Sequence, residues 1–120
     1  MATKNTEATR YYSDIQEKAV CKLLGGKQTP NSGAGHFCKS DVVVKEASLG
    51  VECKTCTSDK SSFSIKKEWL EKSKEEGFQN RLCNSAIAFN FGPNTPNFFV
   101  IDSKLMRYLV EKLIEDGESS

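Results

Sequence analysis

Long apolar runs are missing from this chain of 120 residues, and nothing in it approaches the roughly 20 consecutive apolar residues that a membrane helix requires. The start, Met1-Ala2-Thr3-Lys4-Asn5-Thr6-Glu7, lacks the apolar segment of a secretory leader, so a cytoplasmic protein is expected. A dominant charge is also missing. The 17 Lys+Arg and 16 Asp+Glu leave a formal charge of +1, which argues against a binder of nucleic acid by bulk charge. The cysteines are five, an odd number without a leader, and read as free thiols rather than a disulfide framework. Histidine occurs once, as His36 in a glycine-rich stretch, and is left out of the catalytic set.

What is present is one domain's worth of chain. A length near 100–150 residues suffices for an independent core, and the sequence divides into a single domain over 1–114 and an acidic, flexible tail over 115–120. The last ten residues hold Glu111, Glu115, Asp116 and Glu118 against Lys112 alone, leaving 16 basic and 12 acidic residues in 1–110. A mildly basic body permits phosphate contacts, because these need a few local cations whatever the global sum.

Between Glu7 and Leu24 the residues Ala8, Tyr11, Tyr12, Ile15, Ala19, Leu23 and Leu24 recur at helical spacing, and Gly25-Gly26 ends the helix. A short strand near Lys27–Thr29 precedes a breaker-rich loop. Asp41–Lys45 and Leu49–Thr55 read as a hairpin turning through Glu46-Ala47-Ser48. A surface helix follows over Ile65–Asn80, anchored by Trp69 and Phe78 on a Lys/Glu-rich body. Strands Ser85–Phe91 and Phe98–Ile101 flank a Gly-Pro turn, and a helix over Leu105–Ile114 closes the domain. The aromatic alternation of Phe89, Phe91, Phe98 and Phe99 reads as packing. The fold class is α/β, a mixed sheet flanked by helices.

The chemistry concentrates in the hairpin. Alternation puts Val51, Cys53 and Thr55 on one face and Glu52 and Lys54 on the other. Antiparallel pairing brings Asp41 to the same end, giving two carboxylates beside an amine. Such oxygens suit Mg²⁺, which keeps several waters and accepts phosphate oxygens. A divalent ion on Asp41, Glu52 and the Cys53 carbonyl would polarise a phosphodiester and activate water, and Lys54 would stabilise the added charge or orient that water.

Asp41, ten residues, then Glu52-Cys53-Lys54, after a helix bearing Glu17, resembles the PD-(D/E)xK nuclease signature. Glu17 stands seven residues before Leu24, and Asn31-Ser32-Gly33-Ala34-Gly35 comes just ahead of Asp41. This order is similar to that of archaeal-type Holliday-junction resolvases and their phage relatives. The likeness spans residues 11–101, and departs from the family in having Ser40 where a proline usually precedes the aspartate. It implies a restriction-endonuclease-like fold and metal-dependent cleavage of branched DNA, with Mg²⁺ as cofactor and Mn²⁺ as its substitute. Asp41 and Glu52 would be ligands, Lys54 catalytic, and Glu17 a supporting metal or water contact. Ser32 would touch DNA, and the resemblance further implies a homodimer. The bare backbone at Ser32-Gly33 and the cations Lys66 and Lys67 at a helix start offer phosphate contacts.

Three other readings stay open. A nuclease of the same fold could act on flaps or duplex DNA, or the domain could bind DNA or a partner without catalysis. His36, Cys38, Cys53 and Cys56 also include a CxxC spacing that zinc sites use. Cys53 lies within an expected strand rather than on a knuckle, so it and Cys21 read as small core residues.

Overall fold

The computed structural model describes residues 2–29 and 40–119. The chain runs α1 (Ala2–Leu24), β1 (Lys27–Gln28), β2 (Val42–Val44), a 3₁₀ turn (Lys45–Ala47), β3 (Leu49–Lys54), α2 (Lys67–Gln79), β4 (Asn84–Phe89), β5 (Phe98–Val100) and α3 (Ser103–Ser119). The five strands form one mixed sheet in the order β1-β2-β3-β4-β5, and the fold is α/β as expected. β1, β2 and β3 form an antiparallel meander, β4 lies parallel to β3, and β5 returns antiparallel to β4. A parallel neighbour requires a crossover, and α2 supplies it.

The hairpin register follows from burial. Val42 faces Val51, and both are fully buried with Val20, Ala86 and Ala88, while Cys21, Leu24, Cys53, Phe99 and Ile101 pack around them. This layer lies under α1. On β4 the residues Ala86, Ile87 and Ala88 are all buried, as a strand covered on both faces must be. Ile87 turns to the opposite layer, which it shares with Leu70 and Ser73 of α2. Gly25, at φ +72°, gives α1 its left-handed end. Gly50 is required for another reason: a Cβ there would collide with the Ser40 hydroxyl and stand 3.0 Å from Leu82.

The helices depart from the sequence pattern in three places. Helix α1 presents Val20 and Gln16 inward, whereas Tyr11, Ile15 and Leu23 are exposed. Gln16 belongs inside because its Nε2 donates to the Lys54 carbonyl at 2.9 Å, the Ala88 carbonyl at 3.3 Å and Asn97 Oδ1 at 3.0 Å, closing the ends of two strands. In α2 the expected anchor Phe78 is 83% exposed, and the buried residues are Ser73, Glu76 and Gly77. The expected flexible tail is instead helical, since α3 continues through Glu115 and Glu118 to Ser119. Ion pairs Arg107–Glu111 at 3.3 Å and Lys112–Glu115 at 3.2 Å support those turns.

Candidate functional site

The pairing of Val42 with Val51 sets Asp41 across from Glu52 at the end of the hairpin. Asp41 is then fixed by accepting the Cys53 N–H at Oδ2, 2.8 Å. Glu52 and Lys54 share the face opposite Val51 and Cys53, and Lys54 Nζ stands 3.6 Å from Glu52 Oε1 with both side chains mostly buried. Helix α2 closes this face. Lys54 Nζ lies 4.5 Å from the centre of the Trp69 ring, a cation held against an aromatic wall. That wall continues through Phe63, stacked on Phe89 at 5.1 Å, and on to Phe91 and Phe98. A groove of about 380 Å³ opens here between Glu52, Lys54, Glu68, Trp69, Lys72 and Ser73.

The electrostatics are those of carboxylates withdrawn from water. Burial, reinforced by Asp41 and Glu76 and opposed by Lys54 and Lys72, pushes Glu52 up to about 7. Burial also raises Asp41, against the Cys53 N–H and the neighbouring lysines. Like charges in a desolvated site disfavour joint ionisation. Perturbed groups of this kind collect at functional sites, because folding alone gains nothing from them.

Glu17 lies on the α1 side, where Gln28 Nε2 donates to its Oε1 at 3.2 Å and also to Asp14 at 3.0 Å. Its carboxyl is raised mainly by burial, with Asp41 adding to the rise. Thus Glu17 reaches Asp41 through its field. Cys53 offers the site only its backbone, since its thiol packs in the α1 layer and burial raises it far above the ordinary thiol range. This is the core role expected of it, as it is for Cys21. Lys66 and Lys67 are exposed at the start of α2, Lys66 Nζ lying 5.7 Å from the Trp69 ring centre. Ser32, Gly33, His36 and Cys38 lie outside the described residues.

Three residues that sequence reasoning missed complete the surroundings. Glu76 is 3% exposed, and its Oε2 has no hydrogen-bond partner among the described residues. Lys72 stands 3.9 Å from the other oxygen of Glu76. Gln16 holds the backbone of Lys54 in place. The available signal was the spacing of Ser73, Glu76 and Gly77, a polar and small stripe at helical period on a helix that had few apolar residues to bury.

Among the described residues no three Asp, Glu, Cys or His side chains gather into a group able to hold a metal ion by themselves. The donor pair Asp41 and Glu52 nevertheless fits a hard divalent cation that takes its remaining ligands from water, backbone carbonyl or phosphate. The raised carboxyls supply the physical ground, as a cation would relieve the repulsion that burial magnifies. No helix among the described residues is long and apolar enough to cross a membrane. No protein-family model, curated protein or solved structure matches the chain.

Proposed function

We propose that the protein is a metal-dependent endodeoxyribonuclease with a restriction-endonuclease-like fold, acting on branched DNA as Holliday-junction resolvases do. The observation that carries this reading is the meeting of Asp41, Glu52 and Lys54 at one rigid end of the β2–β3 hairpin. Asp41 and Glu52, joined by the Cys53 carbonyl, would hold Mg²⁺, with Mn²⁺ as a substitute. When bound, the ion supplies Lewis-acid polarisation of a phosphate and a more acidic water.

The chain's own groups then divide the remaining work. Lys54 is kept close to Glu52 and Trp69, so its ammonium has a restricted position from which to stabilise charge on the phosphate. Asp41 is oriented before any ligand arrives, because the Cys53 N–H already holds one of its oxygens. The aromatic wall limits water on one side of Lys54. Lys72 lines the groove, and Lys66 and Lys67 are exposed at the start of α2, so these cations would serve the DNA backbone; Ser32 and Gly33, which lie outside the described residues, would be further contacts as the resemblance implies. Glu17 supports Asp41 from α1. A homodimer would present two such sites to a substrate with two strands to nick.

The test is cleavage of an end-labelled four-way junction beside its linear duplex, with Mg²⁺, Mn²⁺ or EDTA. Metal-dependent paired nicks on the junction, lost in Asp41→Asn, are expected. Equal cutting of every DNA would remove the junction preference and leave a general nuclease. No cutting with either metal would refute the catalytic reading.

A further inference from the structure

We infer that Ser73 and Glu76, three residues apart on the inward side of α2, are positioning residues for the divalent cation, accepting hydrogen bonds from water that the ion carries. The inference rests on the metal site of the proposed function, and not on cleavage or on the choice of DNA. Both side chains are anomalies of the same kind. Each residue is 3% exposed, and Ser73 Oγ and Glu76 Oε2 are buried with no hydrogen-bond partner among the described residues. An orphaned polar atom of this sort bears its full desolvation cost, a charged one most of all. A serine inside a helix can relieve that cost by bonding the carbonyl one turn back, and Ser73 does not. Lys72 stands 3.9 Å from Glu76 Oε1 and leaves Oε2 unengaged. Packing alone gives no account of the pair.

Their place in the fold says what is missing. A spacing of three sets them on one side of α2. Ser73 lines the groove with Glu52 and Lys54, and the charge of Glu76 acts on both Glu52 and Asp41. The absent partner must therefore donate hydrogen bonds, and it must sit well where three carboxylates face the two ammoniums of Lys54 and Lys72. The carboxylates do not themselves gather into a group able to hold the ion by direct ligation. Water on a divalent ion meets both conditions: Mg²⁺ keeps several waters, and its charge makes them more acidic and so better donors than bulk water. Groups that act on an ion through its ligands in this way typically change its affinity 10–100-fold.

Isothermal titration calorimetry of the full chain with MgCl₂ and with MnCl₂, in the absence of DNA, tests the inference. Ser73→Ala and Glu76→Gln should each weaken Mg²⁺ binding about 10-fold or more. Their melting temperatures in EDTA should equal or exceed that of wild type, because each removes an orphaned group. Glu76→Asp separates contact from field, since it keeps the charge and withdraws the oxygen by one methylene; it should bind Mg²⁺ as poorly as Glu76→Gln. Lys72→Met removes the ion pair, leaves both acceptors and should not weaken binding. Wild-type affinity in Ser73→Ala or in Glu76→Asp would overturn the inference while leaving the ion on Asp41 and Glu52, the buried atoms then holding a water that has no bearing on the metal. A loss in Lys72→Met equal to that in Glu76→Gln would overturn it too, because the ion pair would then be the cause. If wild type binds neither ion, the inference and the metal-dependent reading fall together. Binding that is weakened in the variants as expected, in a protein that cuts no DNA, would support the inference and refute the nuclease alone.

Discussion

Replacing Glu52 by Gln is expected to stabilise the metal-free protein at alkaline pH, although it removes a charged residue from an ion pair. The folded carboxyl is pushed up to about 7, from an ordinary value of 4.5. Between those values the folded state binds more protons than the unfolded state, so this group's contribution to stability falls as pH rises. The penalty is nearly absent below pH 4.5, grows through the window and is complete above 7. At about 1.4 kcal/mol per pH unit, the gap corresponds to roughly 3 kcal/mol at pH 8. Gln keeps the shape and stays neutral, and because the pull of Lys54 at 3.6 Å is already contained in the raised value, no further offset applies. A net gain of about 3 kcal/mol follows, or roughly 12 °C in melting temperature for a domain of this size. Thermal unfolding of wild type and variant in EDTA at pH 8 and pH 4.5 measures it, the difference between the proteins being largest at pH 8. A variant no more stable than wild type at pH 8, or a gap that does not narrow at pH 4.5, would refute the account of the site as a desolvated like-charge cluster.

Four further outcomes follow from neighbouring groups. Mg²⁺ should raise the melting temperature of wild type at pH 8, by about 2.7 kcal/mol of stability at a hundredfold excess over its dissociation constant, and should leave Asp41→Asn unchanged. Because Glu76 holds Glu52 up through its charge, Glu76→Gln should lower the pH at which Glu52 ionises, read as the titration of its carboxyl carbon by NMR without metal. Gln16→Ala removes the amide whose two N–H groups reach three acceptors at the strand ends, and a loss of about 1–3 kcal/mol is expected in urea unfolding, together with slower cleavage as the backbone of Lys54 loosens. Gly50→Ala should cost about 1–3 kcal/mol by forcing Ser40 and Leu82 aside, with slower cleavage because Asp41 adjoins Ser40. An unchanged unfolding midpoint in either of the last two would contradict the contacts named for it.

Local chemistry made much of the molecule legible before any fold was known. Strand alternation is a property of the backbone, so Val51 and Cys53 could be set apart from Glu52 and Lys54, and the α1 layer holds the first pair. A double glycine has few uses other than ending a helix, and Gly25 ends one. The placement of Asp41 beside Glu52 needed only antiparallel pairing, because register follows wherever a hairpin must bury one face.

The inward side of each helix was a different matter. In α1 the spacing of Tyr11, Ile15 and Leu23 competes with that of Gln16, Val20 and Leu24, and hydrophobicity favours the first set. The sheet chose the second, because the Lys54 and Ala88 carbonyls at the strand ends accept from Gln16. In α2 the apolar Phe78 faces water and the charged Glu76 is buried, since a helix crossing over a carboxylate site packs with small and polar residues there. The apolar half of α3 was written in its periodicity, yet only the tertiary arrangement decided that none of the described residues buries it. Periodicity specifies which residues share a face, whereas the partner of that face is set by long-range packing that no local window contains.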